Sequence, residues 1–534
     1  MTAIAPKESF DTLCELGARF LSRVIAIDSQ SDAGSSTIPS TEGQRRLSDD
    51  LAGFFGELGF ATATDESANL LVAIPGNAGD SAPKVAFMVH MDTAEGTLAV
   101  PSLQVLSGWD GGRIPFPENQ RLQVSVELYP ETEVFVGQDL LHGPGQRAIG
   151  LDDKLGMAEM MLLAHILAKN PDIPRPDLVL VGRPDEEIGR MAAVEGLADE
   201  LVRRGVTHGY TIDGLDPFEI NTENFNAAYA KVAIAGQPLT VAPAAVAREV
   251  ALSIEGAKSH GATAKAEGYF NATMAFVEAF ESLTEPTPET PIPVGFVTDA
   301  TAETNAVLRF HLRGADEAAL DAAEAALLAR FEKVLAPHAF KGAQVQISER
   351  QSTSANGPLS DEYLRLHGHL RGFLDGEGPT PLLSEHSDGY QGYSNPHAVA
   401  PTDGGLVLSY RLRDFSPDGL AARKAHIEAL CADGSATAEL GDQYVNMGPA
   451  LAPYPELVQW AQKAAESAGV EARRSPIRGG TGVDPFLERK VPIANVGTGY
   501  FAPESEKEFT SRQMLARHAL WLSHLVQVIA AHRP

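Results

Sequence analysis

The sequence predicts an α/β domain with a mostly parallel sheet and helices on both faces, plus an inserted and duplicated α+β lid region. Short apolar runs at 69–74, 84–89 and 177–181 alternate with helical patterns, which is typical of buried strands covered by helices. After Asp213 the pattern changes to alternating strands with long helices, and α/β character returns from about Pro453. One domain is therefore expected to be assembled from two separate parts of the chain.

The inserted region contains an internal repeat. The segments 305–335 and 405–430 share a strand, an arginine, a turn and a helix in register. Chance similarity of two strand–helix units is the alternative. The predicted boundaries are 1–215 and 448–534 for the two parts of the α/β domain, 216–352 for the first lid unit and 353–447 for the second.

Composition excludes several classes of protein. The formal charge of −29 argues against a nucleic-acid partner, because such binding usually needs a basic surface. The two cysteines, Cys14 and Cys431, form neither a disulfide framework nor a CxxC metal motif. Residues 1–10 lack a secretory pattern, and no apolar run reaches the roughly 18 residues that span a membrane. We therefore expect a soluble cytoplasmic protein without a membrane partner.

A histidine and a pair of aspartates stand at predicted element ends. His90 and Asp92 follow an apolar run, where a metal ligand and the carboxylate that orients it are expected. A buried histidine with its hydrogen bonds satisfied is the alternative reading. Asp152 and Asp153 precede a helix, so they are either helix caps or carboxylates brought together by cations.

A second group of acids follows the next predicted strands. Asp185, Glu186 and Glu187 come after the run at 177–181, and Asp213 ends a further apolar segment. The three consecutive acids are interpreted either as a solvated loop or as one metal ligand beside one general base. The order of all these motifs along the chain favours a metal site with oxygen ligands and one histidine, which suits Zn²⁺, Mn²⁺ or Co²⁺.

With these motifs in view, the chain resembles the M20 family of metallopeptidases, and within it the branch of tripeptide aminopeptidases. The resemblance spans most of the chain. The most specific segments are IPSTEGQ and ENFNAA, because they contain little generic metal chemistry. The other matching segments are HMDT, GLDDKLGMAEMM, PDEEIG, YTIDG, HGATAKA, RLRDF and IRGGT.

The resemblance implies a set of metal ligands. His90 and Asp213 would bind one divalent ion, Glu187 the other, and Asp152 would bridge both. It also implies a cis peptide between Asp152 and Asp153. The implied cofactors are two divalent metal ions, with zinc first and manganese or cobalt as alternatives.

The resemblance also implies catalytic roles. Glu186 would be the general base that deprotonates the attacking water, and Asp92 would orient His90. His260 would stabilise the oxyanion of the tetrahedral intermediate from the lid; a histidine in a surface loop is the alternative. The segment around His260 has Gly261 where this branch usually has proline.

Three further residues are candidates for binding substrate. Arg413 and Arg478 lie in the RLRDF and IRGGT segments, and a guanidinium binds a terminal carboxylate in a bidentate fork. Asn224, in ENFNAA, is expected to line the cleft.

Glu504 stands where the family has its last metal ligand, a histidine. Glu504 could ligate the second metal and favour harder ions such as Mn²⁺. Alternatively, the second site is weak or empty, or the loop 499–508 has moved.

The duplicated lid is a second departure from the branch, whose lids contain one unit. A fused second copy would supply internally the lid pairing that M20 dimers make between subunits. The chain is therefore expected to be either a monomer with an internally paired lid or a homodimer.

The function implied by the resemblance is a metal-dependent exopeptidase that hydrolyses short peptides, through a metal-activated water with Glu186 as general base. A related amidohydrolase acting on N-acyl amino acids or another peptide-like amide is the alternative enzyme. A metal-binding protein that has lost catalysis is the alternative outside enzymes, and the presence of both Glu186 and His260 argues against it.

Overall fold

The computed structural model describes residues 4–79, 81–256, 270–283, 290–299, 302–376, 378–379 and 392–532. The chain divides into two compact units, Met1–Asn224 with Asn446–Pro534, and Phe225–Val445. None of the described helices is both long and apolar enough to cross a membrane. The cytoplasmic location expected from the sequence stays a prediction.

The elements of the described residues are as follows. The α-helices are α1 (Phe10–Ile25), α2 (Glu42–Glu57), α3 (Leu151–Lys169), α4 (Glu195–Arg203), α5 (Ala272–Glu278), α6 (Glu317–Leu335), α7 (Glu362–Asp375), α8 (Pro417–Leu430), α9 (Gly448–Leu451), α10 (Glu456–Ala468), α11 (Asp484–Glu488) and α12 (Arg512–Ala531). Short 3₁₀ helices are found at Pro130–Phe135, Met191–Ala193 and Ala336–Lys341. The strands are β1 (Ala61–Thr64), β2 (Leu70–Ile74), β3 (Val85–His90), β4 (Gln104–Leu106), β5 (Leu140–His142), β6 (Leu178–Arg183), β7 (His208–Gly214), β8 (Glu219–Asn221), β9 (Asn226–Ala235), β10 (Pro238–Leu239), β11 (Val246–Glu255), β12 (Ile292–Thr298), β13 (Ala306–Gly314), β14 (Gln344–Thr353), β15 (Leu359–Ser360), β16 (Tyr393–Thr402), β17 (Gly405–Asp414), β18 (Thr437–Tyr444), β19 (Arg473–Arg474), β20 (Ile493–Gly497) and β21 (Phe509–Ser511).

The first unit is built on an eight-stranded mixed sheet in the order β1-β2-β6-β3-β7-β20-β8-β19. The central pairings β6-β3, β3-β7 and β7-β20 are parallel, whereas β1 and β2 add antiparallel strands at one edge. Every residue of β3 and β6 is buried, as their continuous apolar runs predicted. The predicted α/β class with a mostly parallel sheet is confirmed.

Helix α3 is buried along almost its whole length and packs against α1, α12 and the central strands β3 and β7. Gly156 permits this packing, because a Cβ there would lie 2.1 Å from the carbonyl oxygen of Ile212 in β7. The N-terminus of α3, with Asp152 and Asp153, is thereby held beside the C-terminal end of β7.

The second unit contains two four-stranded antiparallel sheets, in the orders β12-β13-β11-β14 and β16-β17-β9-β18. Along the chain, the first sheet is formed by β11-α5-β12-β13-α6-β14 and the second by β9-α7-β16-β17-α8-β18. Both copies therefore follow the order strand, helix, strand, strand, helix, strand, with the first strand third in its sheet. This common topology is the internal repeat that the sequence predicted.

The division of the lid into consecutive units at 352/353 does not match the sheets. Strand β9 lies within the range predicted for the first unit, yet it pairs with β17 and β18 of the second sheet. The first copy is thus inserted between β9 and α7 of the second copy. The partners of β9 lie far along the chain, so the strand pattern alone could not assign it.

The two copies share one apolar core. Its members include Phe310 and Phe331 from the first copy, and Phe373 and Tyr410 from the second. The outer strands β12 and β16 also meet, where the amide of Val399 donates to the hydroxyl of Thr298 over 2.9 Å. The second unit is therefore one packed body with two sheets.

Glu159 is an ionisable side chain in the core of the first unit. It is fully buried in α3, and neither of its carboxyl oxygens has a hydrogen-bond partner among the described residues. Its Oε2 lies 3.7 Å from Nδ1 of His518 in α12. Burial, with a smaller effect of the Asp153 charge, raises the pKa of Glu159 well above its usual value, and burial lowers the pKa of His518 to about 3.

This raised pKa predicts how the stability depends on pH. Above about pH 4.3 an unfolded glutamate releases its proton, whereas folded Glu159 keeps it, so the free energy of unfolding falls as pH rises. The Glu159→Gln variant has no such proton. Its free energy of unfolding, relative to that of the wild type, is therefore expected to rise by up to about 1.4 kcal/mol for each pH unit above that pH. Urea unfolding at pH 5, 6 and 7 measures the difference.

The exposed Glu15→Gln change in α1 is the matched control and should show no such trend. A difference between Glu159→Gln and the wild type that stays constant from pH 5 to 7 would contradict the assignment of a protonated Glu159.

Candidate metal centre

The acidic residues singled out in the sequence lie at the carboxyl edge of the central parallel strands. His90 ends β3, Glu186 and Glu187 follow β6, and Asp213 is the penultimate residue of β7. These three strands are neighbours in the sheet, so their carboxyl ends meet at one edge, where α/β proteins bind ligands. Asp152, at the N-terminus of α3, completes the cluster.

Potential ligand atoms from five residues converge here. His90 Nε2 lies 2.8 Å from Asp152 Oδ1 and 3.4 Å from Asp213 Oδ1. Two triplets, His90–Asp152–Glu187 and His90–Asp153–Asp213, have ligand atoms within 4.8 Å of one another. Asp153 was not predicted as a ligand, and its Oδ2 accepts the backbone N–H of His90 at 3.0 Å. The peptide between Asp152 and Asp153 is cis, as the resemblance implied.

The clustered carboxylates favour the binding of a cation. Burial raises the pKa of Asp213, and burial together with the charges of Asp152 and Glu504 raises the pKa of Glu187. Burial alone would lower the pKa of His90, but Asp213 and Asp152 raise it well above its usual value. Glu187 Oε1 is buried without a hydrogen-bond partner among the described residues. One imidazole with several carboxylates in a buried site fits divalent metal ions.

Asp92 connects the histidine to the glutamate turn. Its Oδ1 accepts the backbone N–H of Glu186 at 2.9 Å, and its Oδ2 that of Glu187 at 3.0 Å. The Asp92 carboxylate lies 3.4 Å from His90 Nδ1, but the shorter contact of Nδ1, 2.9 Å, is with the backbone oxygen of Asp92. Burial would raise the pKa of Asp92, but these contacts to His90 and the two amides lower it. Asp92 therefore contacts two of the segments that carry candidate ligands.

Glu186 lies beside the cluster with a pKa suited to proton transfer at neutral pH. Burial raises the pKa of Glu186 to about 7, against the opposing effects of Arg183 and His90. Arg183 Nη2 lies 3.5 Å from Glu186 Oε1. A general base is most effective when its pKa is close to the working pH.

Arg183 is a residue that the sequence analysis missed. It is buried at the end of β6, and it donates to the carbonyl oxygens of Thr481 (2.7 Å) and Gly482 (3.3 Å). Gly482 has a φ of +55°, and a Cβ there would lie 2.2 Å from Arg183 Nη1, so the loop approaches the guanidinium only as glycine. The sequence did contain one signal for it: Arg183 is a single arginine at the end of an otherwise apolar strand, and a buried charge needs a partner.

Glu508 is a second residue that was missed. Its Oε2 accepts the backbone N–H groups of Ile149 (2.8 Å), Gly150 (2.9 Å) and Leu151 (3.3 Å), the residues directly before Asp152. Burial raises the pKa of Glu508 to about 7, and these amides oppose the shift. The contact spans more than 350 positions of sequence, so no local pattern could reveal it.

Glu504, predicted in place of the family histidine, is in neither of the two ligand triplets found among the described residues. Its charge nevertheless acts on Glu187, whose pKa it raises. Glu504 has a φ of +51°, which is rare outside glycine and is tolerated mainly where neighbouring structure demands it.

The predicted substrate-binding residues differ in their surroundings. Arg478 is partly buried in the first unit, in the loop before α11. Asn224 accepts the amide of Met447 at 2.7 Å and donates to the carbonyl oxygen of Gly479 at 3.3 Å, so it supports the loop that carries Arg478.

Arg413 belongs to β17 of the second unit. Its Nη1 donates to the carbonyl oxygens of Ala228 and Leu412 and to Gln443 Oε1, all within that unit. His260, the predicted oxyanion residue, lies outside the described residues.

The fold and this site are those of a metal-dependent hydrolase, because the carboxylates and the histidine are suited to a divalent metal ion and the neighbouring glutamate is suited to proton transfer. The model of the family described as Peptidase family M20/M25/M40 matches residues 137–528, more than half of the chain. The chain belongs to this family, and the predicted resemblance is confirmed.

Comparison with individual proteins agrees with the family. The chain is 27% identical over 531 residues to Peptidase T of Aeromonas hydrophila, covering 98% of this chain and 100% of the relative. Aminopeptidase PepT from Bacillus cereus has a similar fold, with a TM-score of 0.52 and 15% identity over 97% of this chain and 99% of that one. Aminoacylhistidine dipeptidase from Vibrio alginolyticus gives a TM-score of 0.55 at 14% identity, covering 99% of both chains.

The carboxylate cluster predicts that metal ions stabilise the folded protein. Adding Zn²⁺, Co²⁺ or Mn²⁺ to chelator-treated protein should raise its Tm, since a ligand at 100 times its Kd adds about 2.7 kcal/mol to the free energy of unfolding. The His90→Ala variant should lose most of this gain, because His90 belongs to both triplets. Differential scanning calorimetry measures the shift.

The control is His208→Ala, which removes a histidine from the opposite end of β7. It should keep the full metal-dependent gain in Tm. An equal gain in His90→Ala would show that the ions bind elsewhere.

Proposed function

We propose that the chain is a metal-dependent exopeptidase that hydrolyses short peptides, in the manner of an aminotripeptidase. The observation that carries this proposal is the cluster of buried His90 with the half-buried Asp152, Glu187 and Asp213, with Glu186 at its side. The likeness over nearly the full length of Peptidase T supports the peptide substrate.

The ligands divide between two ions in this proposal. His90 and Asp213 would hold one ion and Glu187 the other, and Asp152 would serve both. When bound, such ions polarise the scissile carbonyl and lower the pKa of water.

The chain's own residues then handle the proton. Glu186 accepts a proton from the attacking water and delivers it to the leaving amine, and a pKa of about 7 lets it do both. Arg183, 3.5 Å away, holds the Glu186 carboxylate at this edge of the sheet, while Asp92 fixes the backbone of the same turn. Arg478 is the proposed partner of the substrate's carboxylate, with Arg413 and His260 as the candidates from the lid.

Replacing the proposed base separates proton transfer from metal binding. Glu186→Gln should lower kcat about 10²- to 10⁴-fold, the range typical of general acid–base catalysis. Its metal affinity by isothermal titration should equal that of the wild type. The assay uses tripeptides, dipeptides and N-acyl amino acids with each of Zn²⁺, Mn²⁺ and Co²⁺.

Glu195→Gln, an exposed change at the start of α4, is the control and should keep full turnover. Undiminished peptide turnover by Glu186→Gln would remove it as the base. Hydrolysis of the N-acyl substrates alone, by the wild type, would contradict the exopeptidase assignment.

We further propose that Glu504 is a ligand of the second ion. Its charge raises the pKa of Glu187, which supports this role. A carboxylate in place of imidazole adds negative charge and a harder donor, so it favours Mn²⁺ over Zn²⁺ at that position.

Restoring the histidine tests this idea. Glu504→His should increase the affinity for Zn²⁺ relative to Mn²⁺ at the weaker site, as measured by isothermal titration with each ion. Glu506→His, two residues along the same loop, is the control and should leave the ratio unchanged. An unchanged ratio in Glu504→His would exclude Glu504 as a ligand.

The internally packed lid supports a monomer. Strands β12 and β16 meet within one chain, so the pairing needs no second subunit. Native mass spectrometry should therefore show the mass of one chain at micromolar concentration. An obligate dimer would contradict this arrangement.

A further inference from the structure

Asp185, the residue before Glu186 and Glu187, is buried to 1% exposure and has a φ of +55°. Its carboxylate accepts hydrogen bonds from both Ser40 and Gln44. Its two oxygens accept the backbone N–H of Ser40, at 3.0 and 2.9 Å, and its Oδ1 also accepts the Ser40 hydroxyl at 2.5 Å. Gln44 Nε2 donates to the same oxygen at 2.8 Å.

The contact with Gln44 runs in both directions. The backbone N–H of Asp185 donates to Gln44 Oε1 at 3.0 Å, while the amide of Gln44 donates to the Asp185 carboxylate. Ser40 directly precedes the N-cap of α2, and Gln44 lies in its first turn. A carboxylate is stabilised near a helix N-terminus, and the hydrogen bonds compensate for its burial.

Three successive amides of the turn are thereby bound. The N–H of Asp185 goes to Gln44, and the N–H groups of Glu186 and Glu187 go to the two oxygens of Asp92. The turn that carries the base and a metal ligand is consequently held from both sides, by α2 and by the segment after β3.

The segment that leads into α2 reaches the histidine side of the site as well. The amide of Ser31 donates to the carbonyl oxygen of Thr93 at 3.0 Å, and the amide of Gly96 to Gln30 Oε1 at 2.7 Å. Thr41, the N-cap of α2, donates its hydroxyl to the carbonyl oxygen of Gln30 at 2.6 Å. Residues 29–44 therefore join the loop after His90 to the turn after β6.

We propose that Asp185 is a positioning residue that, through Ser40 and Gln44, sets the placement of Glu186 and Glu187 relative to His90. The proposal rests on the proposed function, because it takes its meaning from the roles given to those residues. It also accounts for the IPSTEGQ segment, which has no metal ligand of its own but supplies Ser40 and Gln44; Arg190 Nη1, at 3.5 Å, is a further partner of the Asp185 carboxylate.

The test is the Asp185→Asn variant of the full-length protein. Asparagine tolerates the same positive φ, so the change removes charge and one acceptor without a backbone penalty. Loss of a residue that orients metal ligands lowers metal affinity or activity about 10- to 100-fold. We expect a loss of this size in Mn²⁺ and Co²⁺ affinity by isothermal titration and in kcat, with KM little changed.

Asp50→Asn is the matched control. Asp50 lies further along the same helix, α2, where it pairs with Arg23 at 2.7 Å. Breaking that pair should lower Tm at most and leave both metal affinity and kcat at wild-type values.

Ser40→Ala is the second variant, in case Asp185→Asn does not fold. It removes a single hydroxyl and should lower metal affinity and kcat in the same direction, by a smaller factor. In the double variant the two losses should be less than additive, because Ser40 acts through Asp185. If either folded variant keeps wild-type metal affinity and kcat and loses only Tm, the proposal is overturned.

The two proposals fail in different ways. A wild-type protein that cleaves no peptide with any metal would refute the proposed function. The comparison of metal affinities between Asp185→Asn and the wild type would still decide whether Asp185 positions the ligands.

Discussion

The structure depends on one electrostatic constraint: several buried or half-buried carboxylates lie together at the carboxyl edge of a parallel sheet. Burial raises the pKa of Asp213 and of Glu187, and neighbouring charges add to the effect at Glu187. Like charges in a buried site are costly unless cations neutralise them, and a single histidine cannot do so. The cluster is therefore suited to divalent ions, for which the same carboxylates are the candidate ligands.

Buried carboxylates around the cluster accept backbone N–H groups, and these hydrogen bonds hold the segments that surround it. Asp92 accepts from the glutamate turn, Asp153 from His90, Asp185 from Ser40, and Glu508 from the residues before Asp152. Each contact joins segments far apart in sequence, so the loops that carry ligands are fixed to one another. Such preorganisation would hold the proposed ligands and base in place before any substrate arrives.

Sequence reasoning predicted those parts of the fold and site that leave a local pattern. Continuous apolar runs marked β3 and β6, and the acids at their ends marked the edge where His90 and Glu187 meet. Contacts that depend on distant pairing were not predictable. Glu508 binds amides more than 350 positions away, and β9 joins a sheet whose other strands begin beyond residue 390. The predicted lid boundary was wrong for that last reason.

The most direct measurement of the central claim is anomalous X-ray scattering from crystals grown with Mn²⁺, Co²⁺ or Zn²⁺, recorded at the absorption edge of each metal. The account predicts two peaks about 3.5–4 Å apart, the usual spacing in two-metal hydrolases, with His90 and Asp213 at one, Glu187 at the other and Asp152 between them. A map with no peak within coordination distance of His90 and Asp152 would contradict it.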